Sequence, residues 1–158
     1  MGLRYDSYCG LNCGACPVGM ANEAGDADVL KELAERWGMD VRELECAGCK
    51  SPVTAVFCSE CRIRSCARER GLEFCFQCAE YPCDRLVSFS DDDAPHHSVV
   101  LKNLSRIREA GLRKWLQEQS ERWSCEVCGR RFGWYSETCP GCGSVLYNSV
   151  LEERDLES

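Results

Sequence analysis

The chain has 158 residues, 15 of them cysteine, and a formal net charge of −7. Cysteine at about one residue in ten points to a covalent or metal scaffold, and an odd count leaves one thiol over in a purely intramolecular disulfide framework. No basic-then-apolar leader opens the chain, no apolar run approaches the ~18 residues of a membrane span, and the acidic balance disfavours whole-molecule attraction to nucleic acid. The expectation is a cytoplasmic protein in a reducing compartment, where this many thiols mean metal.

The cysteines fall into two blocks, eleven from Cys9 to Cys83 and four from Cys125 to Cys142. They divide the chain into a Cys-rich multi-metal domain at 1–90, a loop and connecting helix at 91–122, a zinc ribbon at 123–150 and a charged tail at 151–158. Within the first domain, Val29, Leu30, Leu33, Ala34 and Trp37 recur at helical spacing and predict a helix over 26–37, with Asp26 as cap and Gly38 as stop. Asp40-Val41-Arg42-Glu43 reads as a short helix start with a capping box. Asp91-Asp92-Asp93-Ala94-Pro95 is a loop by composition. A second helix is expected over about 97–121, where Val100, Leu101, Leu104, Ile107, Leu112, Trp115 and Leu116 share a side and Gly111 interrupts. The tail Glu152–Ser158 is expected to fray. The fold class expected is a small α+β, metal-stabilised fold: an irregular Cys-rich domain with short helices, a connecting helix and a C-terminal zinc ribbon.

The last four cysteines carry the cleanest chemical signal. Cys125-Glu126-Val127-Cys128-Gly129 is followed after ten residues by Cys139-Pro140-Gly141-Cys142-Gly143. Two such knuckles, each turning on its glycine, set four thiolates tetrahedrally around one ion. Arg130–Tyr135 between them reads as a strand and turn. The pattern resembles a zinc ribbon, and rubredoxin-like iron sites use the same knuckles.

The first block has metal spacing but ambiguous pairing. Cys46, Cys49, Cys58 and Cys61 have the spacing of one zinc site, and Cys66, Cys75, Cys78 and Cys83 could form another. Cys58-x2-Cys61-x4-Cys66 recurs 17 residues later as Cys75-x2-Cys78-x4-Cys83. The last cysteine of each copy is expected to open a helical turn, after Ser65 and Pro82 respectively. The repeat also permits interleaved ligands, as in two-cluster ferredoxins. Cys9, Cys13 and Cys16 are left as an incomplete set, whose fourth ligand could be His96 or His97, Asp6, a shared cysteine, water or a substrate. Their spacing matches radical S-adenosylmethionine enzymes, but the chain lacks the length and the strand–helix alternation of such a barrel. About three zinc ions are expected in all, with an iron–sulfur cluster within residues 9–83 as the alternative cofactor.

Tyr8–Pro17, Cys46-Ala47-Gly48-Cys49, Cys58 to Cys66, and Cys75–Cys83 together resemble the cysteine-rich family of domains of unknown function numbered 3795. The resemblance spans about residues 5–90. It implies a compact domain presumed to bind zinc, and it implies no reaction.

Eight basic residues between Lys102 and Arg131 outnumber four acidic ones, with Trp115, Trp123, Phe132, Trp134 and Tyr135 interleaved. Nucleic acid is one partner such a pattern can serve. In so acidic a chain, a solvated helix face and aromatic cover for a small core explain it better, and a protein partner is preferred. No Ser–His–Asp set, P-loop or dinucleotide fingerprint appears. The function expected is a zinc-binding structural or interaction protein, with regulation as one role open to it. The alternatives are an iron–sulfur or rubredoxin-like electron-transfer protein, and an enzyme with an open metal site at Cys9, Cys13 and Cys16.

Overall fold

A computed structural model describes residues 2–158. The described residues form eight α-helices: α1 (Pro17–Ala24), α2 (Ala27–Trp37), α3 (Val56–Ser59), α4 (Arg62–Glu69), α5 (Asp84–Ser90), α6 (Val100–Ala110), α7 (Leu112–Arg122) and α8 (Ser149–Glu157). Single-turn 3-10 helices lie at Cys13–Ala15, Val41–Leu44, Cys75–Gln77 and Pro95–Val99. No helix among them is long and apolar enough to cross a membrane.

Local chemistry sets most of these boundaries. The Asp26 carboxylate accepts from the Val29 backbone N–H at 3.1 Å and starts α2, while Gly38, at φ +66°, ends it in the left-handed conformation that glycine adopts without penalty. Asp40 and Glu43 form the anticipated capping box. Pro17 sits in the first turn of α1, where its missing N–H leaves no intrahelical bond unmade.

Three expectations need correction. The expected helix over 97–121 is two helices, because Gly111 adopts φ +87° and ψ 160°, an extended mirror-image conformation that no helix accommodates. The tail does not fray: the Asn148 side chain accepts from the Val150 and Leu151 N–H groups and opens α8. Glu152 then anchors α8 through Arg122 at 3.0 Å and Lys102 at 3.6 Å.

The third correction concerns the fold class. The described residues are all-helical, without strand or sheet, rather than α+β. Among the described residues only two isolated bridges form, Ser124 with Arg131 and Thr138 with Val145. The expected strand over 130–135 fails because its backbone bonds go elsewhere. Phe132 N–H donates to Trp123 O, Trp134 N–H donates to Ala15 O at 3.0 Å, and Ser149 N–H donates to Trp134 O. A ladder cannot extend when successive groups are claimed by three different partners.

Three small cores replace one large one. Ile63, Phe74, Leu86, Leu104, Ile107 and Trp115 centre the first, beside Cys9. Trp123, Phe132, Trp134 and Leu146 close around Ala15 in the second. Val18, Leu33, Ala34, Leu44 and Ala55 form the third. Helix α6 reaches the opening loop at Gly10, where the Asn103 side-chain N–H donates to the Gly10 carbonyl at 2.8 Å.

Candidate metal centre

The two C-terminal knuckles fold by one repeated bonding pattern. Cys125 N–H donates to Arg130 O and Gly129 N–H to Cys125 O; Cys139 N–H donates to Ser144 O and Gly143 N–H to Cys139 O. Gly129 and Gly143 take φ of +79° and +77°, the conformation that turns each knuckle back. The sulfurs of Cys125, Cys128, Cys139 and Cys142 all lie within 4.8 Å of one another. Across the knuckles, Cys125 Sγ is 3.7 Å from Cys142 Sγ, and Cys128 Sγ is 3.5 Å from Cys139 Sγ. Four sulfurs placed tetrahedrally around an ion at ~2.3 Å are roughly 3.8 Å apart. The donor set therefore fits a single tetrahedral ion.

The electrostatics divide the set: against the Arg130 backbone N–H, the neighbouring sulfurs of Cys139, Cys142 and Cys125 push the Cys128 thiol up to about 11, while two others are held down. The Ser144 hydroxyl and backbone N–H pull the Cys142 thiol down to about 6. The Cys142 backbone N–H, with that of Gly141, lowers Cys139. Since metal must displace protons from its ligands, lowered thiols bind it at a smaller cost at neutral pH.

The knuckle module is clamped onto the first cysteine turn. Arg131 Nη2 donates to the Gly14 carbonyl at 2.7 Å, and Arg131 Nη1 pairs with Glu23 at 2.6 Å. Gly133 lies against Ala15 O, where a Cβ would come within 3.1 Å. Sequence reasoning missed this clamp. Small residues at Gly14, Ala15 and Gly133 were the available signal, but nothing in one sequence pairs them.

The upstream cysteines are arranged more loosely. Cys13 lies in the Cys13–Ala15 turn, and Cys16 holds the position before α1 without a side-chain capping bond. Cys9 is buried against the first core. Cys16 and Cys46 flank the third. Burial pushes the Cys75 thiol up to about 12, aided by Cys83, Cys66, Cys49 and Cys78. Arg70 Nη1 donates to Cys78 Sγ at 3.0 Å and interacts with Cys66. Cys66, Cys75, Cys78 and Cys83 therefore share one neighbourhood. The two copies of the 17-residue repeat end differently: Cys66 lies inside α4, whereas Cys83 immediately precedes α5 and makes no side-chain capping bond. Ser65 does not cap; its hydroxyl donates back to Cys61 O and Arg62 O.

Both histidines lie in an aromatic stack. His96 stacks on Trp134 with centroids 4.0 Å apart and hydrogen-bonds through Nδ1 to the Tyr135 hydroxyl. His97 stacks on Phe89 at 3.7 Å and pairs through Nδ1 with Asp92 at 2.8 Å. Asp6 is buried and pairs with Lys50 at 2.9 Å and Arg4 at 3.0 Å.

No curated protein and no solved structure matches the chain. The family described as "Protein of unknown function (DUF3795)" matches residues 5–88. That span covers more than half of the sequence and takes in every upstream cysteine, so the chain belongs to this family.

Proposed function

We propose that the protein is a metal-stabilised interaction protein whose C-terminal knuckles hold one zinc ion in a structural role. The observation that carries this reading is the convergence of Cys125, Cys128, Cys139 and Cys142 at tetrahedral spacing. Four thiolates with no position left for water or substrate are the pattern of a structural rather than a catalytic zinc site. The ion would hold Arg131, Gly133 and Trp134 in the conformation that grips the Cys13–Ala15 turn.

A protein is the partner this surface suits. Val127 and Val145 project from the knuckles at 73% and 84% exposure. Half of the eight basic residues that could serve nucleic acid are paired within the chain: Arg106 pairs with Glu118, Arg122 and Lys102 with Glu152, and Arg131 with Glu23. Cytoplasmic residence accords with fifteen free thiols. The test is metal content and stability together. A chelator should lower the thermal midpoint, and Cys139→Ser should remove one zinc per chain. Unchanged metal and unchanged midpoint in both experiments would overturn the reading.

A further inference from the structure

Helices α6 and α7 are joined by Gly111 alone, and a cleft of about 410 Å³ opens between them. That volume is in the range of small-molecule sites. Lys102, Arg106 and Glu109 line it from α6, at the i, i+4, i+7 spacing of one helix face. Trp115, Glu118 and Arg122 line it from α7, at i, i+3, i+7, and Glu152 reaches it from α8.

The ionic side chains of the cleft fall into two groups. At one end Lys102 lies 3.6 Å and Arg122 3.0 Å from Glu152, two cations to one carboxylate. At the other, Arg106 lies 2.5 Å from Glu118 and 3.9 Å from Glu109, two carboxylates to one cation. The cleft is therefore polarised, positive at the Lys102 end and negative at the Glu109 end. Lys102 and Glu109 are seven residues apart on α6, about 10 Å along its axis. Each makes only the longer contact of its group, and their side chains are 59% and 72% exposed. Such pairs are weak, so a ligand recruits both groups at small cost.

The cleft also calls for an acceptor. Among the described residues, two buried side-chain nitrogens have no hydrogen-bond partner, Trp115 Nε1 and Arg122 Nε, and both residues line this cleft. A buried donor left unpaired is costly. Trp115 is 1% exposed, and its neighbours in the first core, Leu104 and Ile107 among them, are apolar and offer its indole N–H nothing. An acceptor has to come from the cleft side. We propose that the cleft binds a short free peptide. The peptide's C-terminal carboxylate goes to Lys102 and Arg122, its N-terminal ammonium to Glu109, and a main-chain carbonyl between them accepts from the Trp115 indole N–H. Three extended residues span about 10 Å, which matches the separation of the two charged ends. The inference goes beyond the zinc reading and does not rest on it.

The test is proton–nitrogen correlation spectroscopy of the full, metal-loaded chain titrated with trialanine and read at the Trp115 indole resonance. A saturable shift of that resonance is expected. Acetyl-trialanine, which keeps only the carboxylate, and trialanine amide, which keeps only the ammonium, should each bind about tenfold more weakly, the loss of one charge-assisted contact. Lys102→Met and Glu109→Gln should each weaken trialanine by about the same factor while the helical signal persists. A response that never saturates overturns the proposal and leaves the indole N–H to an ordered water. Equal affinity for acetyl-trialanine overturns the free-peptide assignment in favour of a protein C-terminus. Binding indifferent to both Lys102→Met and Glu109→Gln lies outside this cleft and overturns the site.

Discussion

Replacing Arg131 with alanine removes the side chain that ties the knuckle module to the first cysteine turn. The guanidinium donates to Gly14 O at 2.7 Å, pairs with Glu23 at 2.6 Å and lies 5.3 Å from the Tyr5 ring centroid. A hydrogen bond from a charged donor contributes about 1.5 kcal/mol. The ion pair is discounted to a few tenths of a kcal/mol, since the Arg131 side chain is 41% exposed. The aromatic contact adds about 0.5 kcal/mol at most. Arg131→Ala should therefore cost about 2 kcal/mol, or roughly 4–8 °C of thermal midpoint for a chain of this length. Arg131→Lys keeps the charge but cannot span Gly14 and Glu23 together, so it should recover less than half. Thermal unfolding of the metal-loaded chain reads both variants, and Glu23→Gln completes a double-mutant cycle. A loss below about 0.5 kcal/mol in Arg131→Ala would refute the clamp; losses additive within about 0.5 kcal/mol in the cycle would leave the Gly14 bond as its main source.

Three other outcomes follow from local geometry. Gly48 has φ +109°, and a Cβ there would press into the Arg4 carbonyl, so Gly48→Ala should cost about 3 kcal/mol by urea titration, from left-handed strain and a loosened Arg4–Ala47 bond; an unchanged midpoint would contradict the close approach. Burial lowers the His96 imidazole to about 3, with His97 acting in the same direction. The unfolded chain then takes up a proton below about pH 6.5 that the native state refuses, so stability is full above that pH and falls by about 2 kcal/mol by pH 5; His96→Gln should flatten that slope, and an equal slope in the variant would exclude His96 as its source. In metal-free protein, Cys142, pulled down to about 6, should be alkylated at pH 7 well before buried Cys9, whose thiol burial holds at about 12; zinc should suppress the Cys142 reaction, and indifference to zinc would argue against its ligation.

What the sequence disclosed depended on how local each signal was. The α2 boundaries were legible because Asp26 and Gly38 act within one turn of the helix they bound. The knuckles were legible because Cys-x2-Cys-Gly fixes its own hydrogen bonds. The strand over 130–135 was misread because β-rich residues identify a chain able to extend, whereas pairing depends on where its backbone groups find partners. Trp134 finds Ala15, 119 residues away in sequence, and no local pattern encodes that bond. The tail was misread for a related reason. Glu152 looks solvated among charges, yet Arg122 and Lys102 from two other helices hold it. Within the first block, the cysteine list was readable and the grouping was not, because spacing limits pairings without choosing among them.

The most direct test of the central claim is zinc per chain, measured on the parent protein and on the Cys139→Ser, Cys142→Ser double variant after identical purification. If Cys125, Cys128, Cys139 and Cys142 enclose one ion, the variant should hold one zinc fewer, with the upstream metal unchanged. Equal zinc in the two proteins would contradict the site.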